Sequence, residues 1–157
     1  MPNYDDLVAE ALSRVKEIMP WDLVWMLDSA ERKPLLLDVR EPTEYSQLRI
    51  PGSVNLPRGV LEQGCEWDYD ETVPELAADR HQPIAVICRS GKRSVLAADT
   101  LQRLGFTDVV SLRTGIRGWN DFEQPIVDAT GETIDTDAVD VLLASRLRPE
   151  QKSPPTR

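Results

Sequence analysis

Residues 83–105 constrain the fold more than any other stretch of this chain. They open with P-I-A-V-I, a compact, largely β-branched run suited to a buried strand. A short polar loop follows. Ser94 is then an acceptable N-cap for a helix, with Val95, Ala98, Leu101 and Leu104 on one face. Gly105 stops that helix. A strand feeding a covering helix is half of a parallel crossover unit, and open α/β sheets place ligands at the carboxyl ends of such strands. Cys88 stands at that end.

The same alternation recurs along the chain. Strand patterns lie near Leu35, Ser53, Ile84 and Val109, and a short one ends at Ile18. Helical patterns cover 4–15, 42–47, 73–79 and 115–122, and Pro20 fits the first position of another running to residue 27. The first helix sets Leu7, Val8, Ala11, Leu12 and Val15 on one side. Trp21 and Trp25, four residues apart, are expected to pack inward, as is Trp119. The alternation predicts an α/β fold in three layers, a parallel sheet of about five strands with helices on both faces.

At 157 residues and 41% hydrophobic content the chain supports one domain with one core. We expect a helical extension over 1–15, the core domain over 16–125, and a C-terminal extension over 126–157. That extension has a helix over 136–147, through Ala138, Val141, Leu142 and Ser145. Residues 148–157 carry three prolines and are expected to be disordered. The end helices either pack on the core or build a homodimer face. No apolar run approaches the ~18 residues of a membrane span. The acidic start, Met1-Pro2-Asn3-Tyr4-Asp5-Asp6, does not read as a signal peptide. Two cysteines suit a cytoplasmic protein, and a net charge of −9 argues against nucleic-acid partners.

The loop Cys88-Arg89-Ser90-Gly91-Lys92-Arg93 runs against that acidity. A free thiol has a pKa of about 8.5, and its thiolate is the nucleophile. A helix N-terminus, three cations and converging loop N–H groups should all favour the thiolate, and Gly91 lets the loop turn tightly. The same features favour an anionic substrate. A phosphate cradle of the tyrosine-phosphatase kind would need its gripping arginine at position 94, which is Ser94; Arg93 comes one position early. A tighter loop suits transfer of a single sulfur atom. His81, the sole histidine, sits in a polar turn, which argues against Cys–His or Ser–His–Asp catalysis. Cys65 lies among Glu66, Asp68 and Asp70, which should keep it protonated and inert. Two cysteines without CxxC spacing make no zinc site. Trp67 and Tyr69 could form a docking patch.

The loop is similar to that of the rhodanese (sulfurtransferase) family, and the resemblance extends over residues 16–125. Leu35-Leu36-Leu37-Asp38-Val39-Arg40-Glu41 resembles the family's strand ending in Asp-x-Arg. Ile50-Pro51-Gly52-Ser53-Val54-Asn55-Leu56-Pro57 resembles its I-P-G-A-x-N-x-P segment, and the run from Leu112 to Trp119 resembles its L-x-G-G-x-x-x-W close. Leu48-Arg49 stands where Gly-His is common, and Thr114 replaces the first closing glycine, which should alter a turn rather than the chemistry.

The resemblance implies a thiosulfate sulfurtransferase working through a Cys88 persulfide, with no metal and no organic cofactor. Arg89, Ser90, Gly91, Lys92 and Arg93 would hold the substrate. Ser94, Asp38 and Arg40 would support the loop, Asp38 by bracing one of its basic residues and Arg40 by framing the pocket. Its partners would be thiosulfate or another sulfane-sulfur donor, and a small thiophile or an acceptor protein. Competing readings are a persulfide carrier fed by another donor, a phosphatase or arsenate reductase on the same fold, and a non-catalytic interaction module.

Overall fold

A computed structural model describes residues 1–156. In chain order the elements are α1 (Tyr4–Leu12), β1 (Lys16–Ile18), α2 (Pro20–Ser29), β2 (Leu35–Asp38), α3 (Pro42–Gln47), β3 (Val54–Asn55) and α4 (Leu61–Gly64). They continue with α5 (Pro74–Ala78), β4 (Ile84–Ile87), α6 (Lys92–Arg103), β5 (Val109–Leu112), α7 (Gly115–Asp121) and α8 (Thr136–Leu143). Single 3-10 turns occupy Arg58–Val60 and Pro149–Gln151.

The five strands form one parallel sheet in the order β1-β5-β4-β2-β3. The central strand β4 is buried along its whole length. Its side chains alternate between layers: Ile84 and Val86 face the core under α1, α4, α5 and α6, while Ala85 and Ile87 face the core under α2, α7 and α8. Burying each large aliphatic side chain stabilises the fold by about 1.5–3 kcal/mol. All the strands run in one direction, so the loops that follow β2, β4 and β5 gather at one sheet edge.

The terminal helices pack on the core. A capping box between Asn3 and Asp6 starts α1, and Val8 and Ala11 bury against the α6 face. The buried stripe of α1 is narrower than its sequence pattern, because Leu7 and Leu12 are exposed. At the other end Asn120 Nδ2 donates to the Thr136 carbonyl at 3.0 Å and to Asp140 Oδ1 at 2.9 Å, fixing α8 to α7.

Two expectations need correction. Trp21 and Trp25 do not pack inward: they are 52% and 64% exposed. Leu23 takes the buried face of α2, and two tryptophans four residues apart share the opposite one. Trp21 instead meets Phe122 edge-on at 5.8 Å. Ser94 is not the N-cap of α6. The helix begins at Lys92, and Gly91, at φ +101°, occupies the cap, leaving the Ser94 side chain free for the loop. In the turn that follows β5 Thr114 adopts φ +69°, a glycine-like conformation costly for a β-branched residue. The one-turn helix α4 has no counterpart in the sequence reading, since four residues are too few to show a period.

Candidate active site

Cys88 follows β4 directly and is 1% exposed. Its Sγ accepts from the backbone N–H of Gly91 at 3.1 Å and of Ser94 at 3.3 Å. The thiol donates to Ser94 Oγ at 3.3 Å, and Ser111 Oγ on β5 donates to Ser94 Oγ at 2.8 Å. Ser94 and Ser111 are both fully buried. The sulfur thus sits where the first turn of α6 presents its unpaired N–H groups, the partial positive end of the helix. A negative charge on sulfur is stabilised there without an imidazole. His81 lies at the other end of β4, bonded to Thr107 Oγ1 at 3.0 Å.

A second helix N-terminus orients the loop from behind. The amides of Ile116 and Arg117 in α7 donate to the carbonyl oxygens of Cys88, at 2.9 Å, and of Arg89, at 3.1 Å. This close approach requires Gly115, since a Cβ there would stand 2.4 Å from the Cys88 carbonyl oxygen. The closing sequence motif therefore acts by turning the loop carbonyls toward α7.

The three loop cations diverge. Arg93 forms a two-pronged pair with Glu44 of α3, Nη1 to Oε2 at 2.8 Å and Nη2 to Oε1 at 2.9 Å. Lys92 turns to the N-terminal helix, with Nζ 2.6 Å from Asp5 Oδ1 and 5.4 Å from the centre of the Tyr4 ring. Arg89 takes part in none of the ion pairs among the described residues. Ser90 is exposed at the rim. Carboxylates from α1 and α3 thus pair with both, which the loop sequence alone does not show. Tyr4 lies in the same field, and burial, followed by the charge of Cys88, pushes its hydroxyl above the ordinary 10.0.

Asp38 does not brace a basic loop residue, as the sequence suggested. It is buried against Arg40, with Arg40 Nη2 2.9 Å from Asp38 Oδ2 and Nε 3.1 Å from both carboxylate oxygens. Two residues apart at a strand end, they are each other's nearest partner, and Glu44 takes the bracing place. Arg40 also donates to the Leu48 carbonyl at 2.7 Å, and Asn55 Nδ2 donates to the carbonyls of Asp38 and Arg40 at 3.0 and 2.9 Å. The Asp-x-Arg stretch is thus stapled to the segment before β3 and to β3 itself. Arg40 does line a pocket beside Arg89.

Cys65 is fully buried, and burial raises its thiol to about 11. Arg80, distant in sequence, lies close enough to oppose that rise. The sequence reading missed Asp5, Glu44 and Ser111. Ser111 carried a readable signal, a hydroxyl inside the apolar strand Val109-Val110-Ser111-Leu112. Asp5 and Glu44 carried none.

The chain matches the family model described as "Rhodanese-like domain" over residues 22–122. It is 35% identical over 111 residues to the candidate sulfur carrier protein YrkF of Bacillus subtilis (strain 168), covering 71% of this chain and 54% of that one. Among solved structures, a Rhodopseudomonas palustris CGA009 protein of unknown function described as a possible tyrosine phosphatase superposes with a TM-score of 0.71. It is 27% identical, with 81% of this chain and 96% of that one covered. Thiosulfate sulfurtransferase from Pseudomonas aeruginosa superposes with a TM-score of 0.61 at 26% identity, covering 85% of this chain and 24% of that one. The chain thus spans about half the length of the Bacillus relative and about a quarter of the Pseudomonas enzyme.

Proposed function

The chain belongs to the rhodanese-like family, and from that premise we propose that it transfers a sulfane sulfur from thiosulfate to a thiophilic acceptor through a persulfide on Cys88. The observation that carries this reading is the pair of amide N–H groups, from Gly91 and Ser94, converging on Cys88 Sγ at the head of α6.

In the first half-reaction the Cys88 thiolate attacks the outer sulfur of thiosulfate. A new S–S bond forms as the bond to the sulfonate sulfur breaks, and sulfite leaves with that electron pair. In the second, cyanide, a small thiol or a protein cysteine attacks the outer sulfur of the persulfide, and Cys88 departs as thiolate. One difficult transfer becomes two easier ones. The fixed N–H groups hold negative charge on sulfur in both steps without reorganising. Arg89 is the cation left to meet the incoming anion. Residues 16–125 would form the transferase domain, with 1–15 and 126–157 as extensions. Both cysteines are unpaired and buried, which suits a reducing compartment such as the cytoplasm.

A second reading is favoured by the pairing of Lys92 with Asp5 and of Arg93 with Glu44. That pairing leaves less free positive charge for a dianionic donor than the loop sequence promises, as a persulfide carrier loaded by another protein would need. The Arg93–Glu44 pair also disfavours phosphate chemistry, because the nearest candidate for a phosphate-gripping arginine is already engaged. Thiocyanate formation from thiosulfate and cyanide tests the proposal. Turnover lost in Cys88→Ser supports it, no turnover with thiosulfate but ready loading by a persulfide donor selects the carrier, and turnover of p-nitrophenyl phosphate would overturn both.

A further inference from the structure

The first turn of α1 reaches the mouth of the thiol loop. Lys92, the first residue of α6, sets its Nζ 2.6 Å from Asp5 Oδ1 and 5.4 Å from the centre of the Tyr4 ring. The helix is anchored there along its length. Val8 and Ala11 bury against the α6 face, and just past its end Arg14 grips both oxygens of Asp99 at 2.8 and 3.0 Å. All of α1 lies ahead of the stretch matched to the family model, which begins at residue 22. Tyr4 thus comes to the site from this chain's N-terminal extension.

Tyr4 stands close enough to Cys88 for the sulfur's charge to act on its hydroxyl. It is not a hydrogen-bond partner of Sγ, whose partners are the amides of Gly91 and Ser94 and the Ser94 hydroxyl. The gap between phenol and sulfur is therefore wider than a hydrogen bond but short enough for charge to be felt. The hydroxyl keeps its proton at neutral pH and is a donor to any anion in that gap.

Sulfur transfer moves charge into the gap. In the unloaded protein the negative charge sits on Sγ, where the two amides meet it. When the thiolate takes the outer sulfur of thiosulfate, an S–S bond forms and sulfite leaves with the electron pair of the broken bond. The charge of the resulting persulfide resides on its outer sulfur, about 2 Å beyond Sγ. The amides remain on Sγ, so the outer sulfur needs a donor farther out.

We propose that the Tyr4 hydroxyl is that donor, hydrogen-bonded to the outer sulfur of the Cys88 persulfide and stabilising the negative charge there. No proton changes hands. The proposal rests on the sulfur-transfer reading, which supplies the persulfide. The charged groups around the phenol are Lys92 and Arg93 of α6 and Asp5 of its own helix, with Glu44 of α3 paired to Arg93. Tyr4→Phe leaves all of them in place, so a change in that variant reports the hydroxyl.

The test compares the full chain with its Tyr4→Phe variant. Each is loaded with thiosulfate, or with polysulfide if thiosulfate does not load it, and a gain of about 32 Da confirms the persulfide. Iodoacetamide then alkylates the persulfide anion in loaded samples and the thiolate in unloaded ones, and mass separates the two products. The alkylation rate against pH gives an apparent pKa for each form. Tyr4→Phe should raise the persulfide value by about one pH unit, the loss of a hydrogen bond to a charged acceptor. The unloaded thiol should keep its value, because the hydroxyl does not reach Sγ. A persulfide profile that does not move overturns the proposal. So does an equal shift in both profiles, the mark of a disturbed loop rather than a lost donor. A chain that takes up sulfur from neither reagent overturns the sulfur-transfer reading and this proposal with it, and the mass shows that outcome before any alkylation.

Discussion

Arg93 and Glu44, separated by 49 positions in sequence, face each other as a double-pronged ion pair at 2.8 and 2.9 Å. The pair ties the first turn of the helix behind Cys88 to α3. The Arg93 hydrogen bonds are the largest influence on Glu44 and hold its carboxyl below the ordinary 4.5. A depressed carboxyl stabilises the fold fully above its unfolded value and progressively loses that effect as pH falls through its folded value. Glu44→Gln should cost about 1–2 kcal/mol at neutral pH and flatten the loss of stability below about pH 4.5. Urea unfolding of both proteins across the acid range checks this; parallel curves would contradict it.

Lys92 and Asp5 make the second pairing, which joins the N-terminal helix to the loop at 2.6 Å. Both side chains are largely exposed, so the pair adds little stability and is screened by salt. Asp5→Ala should leave the melting temperature nearly unchanged while returning a free cation to the loop. It should raise kcat/KM for thiosulfate a few-fold at low ionic strength, with the gain fading at high salt. Steady-state assays at two salt concentrations decide the point.

Thr114 and Gly115 should respond in opposite directions. Thr114 holds φ +69°, and Thr114→Gly relieves that strain, for a gain of about 1 kcal/mol and a rise in melting temperature of about 2–4 °C. Gly115→Ala drives a Cβ to within 2.4 Å of the Cys88 carbonyl oxygen. It should destabilise the protein, displace the loop and cut sulfur loading sharply. Thermal melts with parallel loading assays test both.

Cys65 should be silent. Its thiol is raised to about 11 by burial, so it stays neutral near neutral pH. Iodoacetamide on the native protein should label Cys88 alone. Cys65→Ala should lose about 1 kcal/mol through the small cavity it leaves, with both half-reactions intact. A stalled second half-reaction would give Cys65 a role this account denies it.

The parts of the fold written in local pattern were legible in the sequence. The all-apolar strand before Cys88, the helix after it and the closing Gly115 sit close together in the chain, and their periods and breakers specify the crossover unit. The site was legible only as far as the backbone carries it, at Cys88 with the N–H groups of Gly91 and Ser94. What cations do depends on partners brought in by folding. Lys92 finds Asp5 across 87 positions and Arg93 finds Glu44 across 49, and no local pattern reports a pairing over such separations. Asp38 shows the converse, since its partner Arg40 lies two residues away and a local ion pair at the strand end is the simplest pairing such spacing offers. Trp21 and Trp25 share a helical face that could have been the buried one, and only the packing of Leu23 decides against it.

The central claim is that Cys88 carries the transferred sulfur. The direct measurement is the intact mass of the protein after exposure to thiosulfate and again after cyanide, with Cys88→Ser in parallel. The account predicts a gain of about 32 Da, one sulfur atom covalently held, that cyanide removes and that the mutant never shows. An unchanged mass in the native protein, or the same gain in Cys88→Ser, would contradict it.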